Sequence, residues 1–225
     1  MIDYKVVDEL VSKLVTQPTG GEKSEAVDVP NENVGYLLTK CNGGYSKDGY
    51  FHFFGNSGDD AHSIERWNSP DLWRKCYGDL VEDYYFFAED IFGNQFGHKL
   101  SDPSDEVFLF WVDDGRVESF EADFVDFLVS TVYGTIAFDE MRSISSEFQA
   151  RRASKVPMLH HLTYRIPLLL GGRSDDLENL EISPAVDHLR FSGQVVVQCR
   201  ALPVGTRITD VLVDEASQTI TLVAS

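Results

Sequence analysis

Tyr84-Tyr85-Phe86-Phe87-Ala88-Glu89-Asp90-Ile91-Phe92-Gly93-Asn94-Gln95-Phe96-Gly97-His98-Lys99-Leu100 is the most aromatic run in the chain. Its two apolar segments are separated by an acidic pair and by the turn signal Gly93-Asn94, a pattern that reads as strand, tight turn, strand. Residues 84–88 are too continuously apolar for a strand with one wet face. Both faces of the hairpin must therefore be covered, one of them by helices, which places it in the middle of a sheet.

Working outward toward the N-terminus, Val7, Leu10, Val11, Leu14 and Val15 fall on one helical stripe, so residues 2–15 read as an amphipathic helix lying on something larger. Residues 16–30, with two prolines and Gly20-Gly21, read as a flexible connection. Asn31 is a candidate cap for a helix that carries Val34, Leu37, Leu38 and Cys41. Asn42-Gly43-Gly44 ends it, glycine supplying the left-handed residue of a helix C-terminus. Residues 50–54 alternate as a strand and lead into an exposed acidic loop at 55–60. Ser69-Pro70-Asp71 reads as the start of a helix presenting Leu72, Trp73 and Cys76.

Beyond the hairpin, residues 106–112 form a strand, Asp113-Asp114-Gly115-Arg116 a turn, and 117–120 the returning strand. Phe124, Phe127, Leu128 and Val132 mark a second packing helix over 121–133, and residues 138–152 a third. Prolines and glycines then divide the remainder into extended pieces, chiefly 194–198, 207–213 and 219–223, the last two a hairpin across 214–217. The order predicts an α+β fold: a mixed, mainly antiparallel central sheet with helices packed on it in residues 1–152. Residues 153–225 form a β-rich C-terminal extension, either part of the same domain or a small appended one.

A chain of 225 residues, 43% apolar and 12% aromatic, can bury a cooperative core. No run approaches a membrane span, and the N-terminus lacks the basic-then-apolar order of a signal peptide, so a cytoplasmic location is expected. Cys41, Cys76 and Cys199 are odd in number and widely spaced, indicating neither a disulfide framework nor a zinc site. The net charge of -18 is unevenly placed: residues 25–135 hold 22 acids against 7 bases, residues 136–225 hold 11 against 9. Such a field disfavours nucleic acid and anionic membrane and speeds encounter with basic partners.

No catalytic constellation stands out. Gly44-Tyr45-Ser46-Lys47-Asp48-Gly49 lacks the glycine that a nucleophile elbow needs two residues after its serine. His160 and His161 are adjacent and should point apart, without nearby residues at ligand spacing. His98 reads as an ordinary strand histidine. The carboxylate pairs, including Glu82-Asp83, Glu89-Asp90 and Asp113-Asp114, read as equally wet surface charges, whereas acid/base catalysis needs environments that separate two pKa values. Phosphate-binding glycine loops are missing, since Gly93-Asn94-Gln95-Phe96-Gly97 lies inside a hairpin. A binding protein without cofactor or metal fits better than an enzyme.

The order of motifs, with Asn42-Gly43-Gly44 after the first helix, Phe86-Phe87-Ala88-Glu89-Asp90 running into Gly93-Asn94-Gln95, and Ser119-Phe120-Glu121 opening a helix, resembles the SUKH superfamily over about residues 28–133. That family includes a yeast cell-wall regulator and many bacterial immunity proteins. The resemblance implies a mixed sheet with helices packed on it, no cofactor, no catalysis and, in bacteria, neutralisation of a toxin, often a nuclease, by direct binding. The family core usually ends near the helix at 121–133, whereas this chain continues to residue 225.

The expectation is thus an immunity protein whose acidic surface binds a basic toxin domain. Asp59, Asp60, Asp113 and Asp114 are the candidate contact acids, and Trp67 or Tyr45 the aromatic anchor. The alternative is a non-catalytic regulatory or scaffold module without a toxin partner.

Overall fold

The computed structural model describes residues 4–12, 29–56, 63–133, 138–214 and 216–225. Six strands, β1 (Gly44–Tyr45), β2 (Phe51–Phe53), β3 (Tyr84–Asp90), β4 (Gln95–Lys99), β5 (Glu106–Phe110) and β6 (Val117–Asp123), form one sheet whose spatial order equals its sequence order. The 84–100 stretch is therefore the central hairpin, as its composition requires. The five pairings are all antiparallel. One isolated parallel bridge joins Gly55 and Ser63.

The register of β3 on β4 shifts at Phe87. A bulge there lets neighbouring phenylalanines serve opposite faces of the sheet. The Phe87 ring lies 5.1 Å from Phe124 and 5.6 Å from Phe127, while Phe86 faces Trp73 and Phe110 at 5.8 and 6.0 Å.

Helix α1 (Tyr4–Val11), helix α2 (Glu32–Lys40) and the later helix spanning Phe124–Tyr133 pack together on the Phe87 side. Asn31 caps α2, its side chain accepting the amides of Asn33 and Val34. The glycines after α2 act otherwise than as a helix terminator. Cys41 is extended, and Gly43, at φ 74, lets two chain segments cross, since a Cβ there would sit 2.6 Å from the Gly55 nitrogen.

On the Phe86 side lie α3 (Ile64–Trp67), a 3-10 turn (Arg74–Cys76) and α4 (Asp79–Glu82). The regular helix expected from Ser69 does not form. The Ser69 hydroxyl is spent on the Asp71 carboxylate, Trp73 leaves helical geometry at φ -139, and Gly78 at φ 56 turns the chain again. Burial of Trp73 and Tyr77 against the sheet overrides local helix preference.

The helix after the sheet, α5 (Phe124–Tyr133), starts three residues later than its spacing suggested. Ser119-Phe120-Glu121 belongs to β6. There Glu121 has φ 54 in an irregular stretch of the edge strand and donates its amide to the Ser119 hydroxyl. Asp123 accepts the Asp126 amide as the N-terminal cap.

The C-terminal part carries α6 (Asp139–Arg152), the pair β7 (His160–Tyr164) and β8 (Leu180–Pro184), helix α7 (Ala185–Ala201), and the hairpin of β9 (Ile208–Asp214) and β10 (Thr219–Ala224). The hairpin is the one expected. The extended reading of 194–198 is wrong, because those residues lie inside the 17-residue α7. The Val195-Val196-Val197 run favours a strand locally, but Ala185, Leu189, Ser192 and Val196 form a buried helical stripe. One hydrophobic cluster joins the sheet to this part through Leu162, Tyr164, Leu180, Leu189 and Val196, and Leu162 donates its amide to the Ile91 carbonyl at 2.8 Å.

Gly193 sets the approach of α7. A Cβ there would lie 2.9 Å from the backbone carbon of Cys76 and from the Tyr77 ring. Alanine improves intrinsic helix propensity by about 1 kcal/mol, yet Gly193→Ala is expected to destabilise by about 1–3 kcal/mol through overpacking. A urea midpoint above that of the parent would contradict this docking.

Candidate functional site

Glu89 and Asp90 are not the surface charges their sequence suggests. They end β3 at 3% and 1% exposure. Cross-strand pairing places Glu89 opposite His52 on β2 and Gln95 on β4. His52 Nδ1 lies 3.0 Å from Glu89 Oε1, and Gln95 donates Nε2 to Oε2 at 3.1 Å while accepting the Trp67 indole N–H at 2.7 Å. From β7, His161 brings Nε2 to 3.1 Å from Oε2, off the hydrogen-bond axis, so that contact is chiefly electrostatic. Its Nδ1 lies 3.0 Å from Nδ1 of His188 on α7, whose Nε2 is 3.8 Å from Asp113 Oδ1.

The result is a buried polar chain, His52, Glu89, His161, His188, Asp113, that ties the sheet to β7 and α7. Anionic Glu89 favours N–H groups on the nitrogens facing it. His161 then carries its proton on Nε2, Nδ1 accepts, and His188 must donate from Nδ1. Burial would push the Glu89 carboxyl up, but the electrostatic attraction of His161, and the attraction and hydrogen bond of His52, outweigh it and hold the group well below its ordinary value. Burial lowers His161 despite Glu89. Asp90 goes the other way: burial pushes it up to about 7, against amide donation from Phe92 and Asn94 and the Asn94 side chain.

Asp90 therefore yields a pH prediction. Its folded value exceeds the unfolded one, so it contributes stability that is present below about pH 4 and lost as pH rises to about 7. The stability of the parent minus that of Asp90→Asn should fall by about 1.4 kcal/mol per pH unit across that interval. Urea midpoints measured at several pH values check this. A constant difference would contradict it.

Beside this chain, between β1–β3 and residues 155–161, lies a pocket of about 190 Å³ lined by Tyr45, Tyr50, His52, Glu89, Asp90 and His161, with Lys47 and Lys155 exposed. Tyr45 stacks on His52 with ring centroids 4.4 Å apart. Ser46 is no nucleophile awaiting a base, since its hydroxyl donates to Asp48 and accepts the Phe51 amide in the β1–β2 turn.

The residues expected to contact a partner do not form one surface. Trp67 is fully buried, stacked on Phe54 and bonded to Gln95, so it cannot serve as an exposed anchor. Tyr45 is half-buried in the pocket wall. Asp113 faces His188, and Asp114 is paired with Arg116 at 2.6 Å. Asp59 and Asp60 lie outside the described residues. Sequence reasoning missed His52, Glu89 and His188 as one network. A carboxylate pair inside an otherwise apolar central strand was the available signal, because such a strand has no wet face.

Among the described residues, no group of three or more His, Cys, Asp or Glu is arranged to hold a metal ion, and no helix is long and apolar enough to cross a membrane. Neither a family model nor a curated protein matches the chain. The crystal structure of Atu4351 from Agrobacterium tumefaciens is similar in fold, with a TM-score of 0.57 and 13% identity over 99% of this chain and 98% of that one. The sheet and the C-terminal part thus recur together in a second protein.

Proposed function

We propose that this chain is a SUKH-like immunity protein that acts in the bacterial cytoplasm, binding and neutralising a basic toxin domain, such as a nuclease, without making or breaking bonds. The observation that carries the reading is the acidic outer edge of the sheet. Residues 105–126 hold eight acids and one base. Glu118, Glu121 and Asp123 are exposed on β6, the terminal strand of the sheet, with Asp126 beside them on α5. The one base, Arg116, is already paired with Asp114 and Glu118. Half-buried Trp111, donating to Glu118 at 3.0 Å, takes over the anchoring role first assigned to Trp67. A charged edge resists pairing with its own kind and attracts a cationic surface.

The test is co-expression with the small basic domain at the end of any large protein encoded next to this one. The domain alone should be lethal and the pair tolerated, while Glu118→Lys/Glu121→Lys/Asp123→Lys should lose protection yet remain folded, its melting temperature lower by only a few degrees for the lost α5 cap and the lost Glu118 contacts. Growth that does not depend on this protein would remove the toxin reading and leave the scaffold module.

A further inference from the structure

The pocket beside Glu89 presents hydrogen-bonding capacity that the protein does not use. An ionised carboxylate offers about four acceptor positions. The Asp90 carboxylate meets three donors, from the Phe92 amide, the Asn94 amide and the Asn94 side chain. Glu89 likewise meets His52, Gln95 and His161. Ionised, as Asp90 is above about pH 7, each retains about one acceptor position. The Tyr50 hydroxyl, on a side chain 3% exposed, has no partner and belongs to the same pocket. A buried hydroxyl left unpaired is costly, and each such group in a folded protein calls for an explanation.

The inner wall is therefore rich in spare acceptors and bears the Glu89 charge, which suits a donor-only cationic group. The outer wall has the opposite character, with Lys47 and Lys155 exposed at the pocket and His160 beside them. Ile91, Val156 and Met158 add an apolar part to the lining. At about 190 Å³ the pocket is smaller than the roughly 300–1,000 Å³ of sites for drug-sized ligands. An anion alone would meet the Glu89 charge, and a simple amine would leave the lysines unmatched.

We infer that this pocket binds a small zwitterion, an α-amino acid with an apolar side chain, its ammonium directed at Glu89, Asp90 and Tyr50 and its carboxylate toward Lys155 and Lys47. The ammonium supplies three donors to acceptors already in place. The side chain rests on the apolar segment. This site is separate from the acidic edge on β6, and its ligand needs no partner protein.

The experiment is isothermal titration calorimetry of the full chain with L-leucine, L-methionine and L-phenylalanine at millimolar concentration. At least one should give a saturable one-to-one isotherm. N-acetyl-L-leucine, which lacks the ammonium, and isoamylamine, which lacks the carboxylate, should each bind about tenfold more weakly or worse than leucine. Tyr50→Phe keeps the ring that packs on Phe51 and Arg142 and removes only an unpartnered hydroxyl. It should keep or slightly raise the parent's melting temperature and weaken binding about tenfold. Absence of an isotherm with all three amino acids, equal binding of leucine and its N-acetyl derivative, or an unchanged affinity in Tyr50→Phe would overturn the inference. None of these results touches the toxin-binding reading.

Discussion

Glu89→Ala lowers the unfolding free energy by about 3–5 kcal/mol, the cost of removing one member of a buried, mutually satisfied set. The carboxylate binds His52 and Gln95 and faces His161 electrostatically, all at 3.0–3.1 Å, and all but His161 come from the sheet. Its removal strands buried donors from two parts of the fold and enlarges the adjacent pocket. Glu89→Gln keeps the volume and one acceptor but turns an amide N–H₂ toward groups that donate, so it should cost less, about 1–3 kcal/mol. Urea unfolding at neutral pH reads both. A Glu89→Ala protein within about 1 kcal/mol of the parent would mean that the network tolerates open donors and does not join the C-terminal part to the sheet.

Phe127→Ala should be comparably severe, at about 3–5 kcal/mol. The ring on α5 is within 4.9–6.4 Å of Phe51, Phe53, Phe87, Phe96 and Phe120, so it touches four strands of the sheet at once. A cavity bounded by this many stiff rings cannot collapse readily, which puts the cost toward the upper end. Phe120→Ala, whose ring is only half-buried on the edge strand, should cost distinctly less. Reversal of that ranking in denaturant titrations would contradict the assignment of α5 as the element that closes the sheet.

Much of this architecture was legible because the chain signals it locally. The central hairpin follows from a continuous aromatic run broken by Gly93-Asn94, and the start of α2 from Asn31, because both depend on residues adjacent in sequence. The failures share a cause, which is tertiary contact overriding local preference. Residues 194–198 carry β-branched valines whose strand propensity yields to the packing of α7 on the 3-10 turn, made possible by Gly193. The turn after Ser69 is irregular because Trp73 and Tyr77 must reach the core. The site was hidden for a related reason. Its residues come from β2, β3, β7 and α7, and the first and last lie 136 positions apart, from His52 to His188. Contacts between separate elements also explain why sequence alone points to Trp67 as a surface anchor: its partners Phe54 and Gln95 come from separate strands or their ends.

The proposed toxin binding rests on the negative edge of β6, and stopped-flow association with the purified toxin domain tests it most directly. Raising ionic strength from about 0.01 to 0.15 M, which shortens the screening length from about 30 to 8 Å, should slow association of the parent by about tenfold or more and leave dissociation nearly unchanged. In Glu118→Lys/Glu121→Lys/Asp123→Lys, association should be slow at both salt concentrations. An association rate that is the same for parent and variant, and indifferent to salt, would contradict the account.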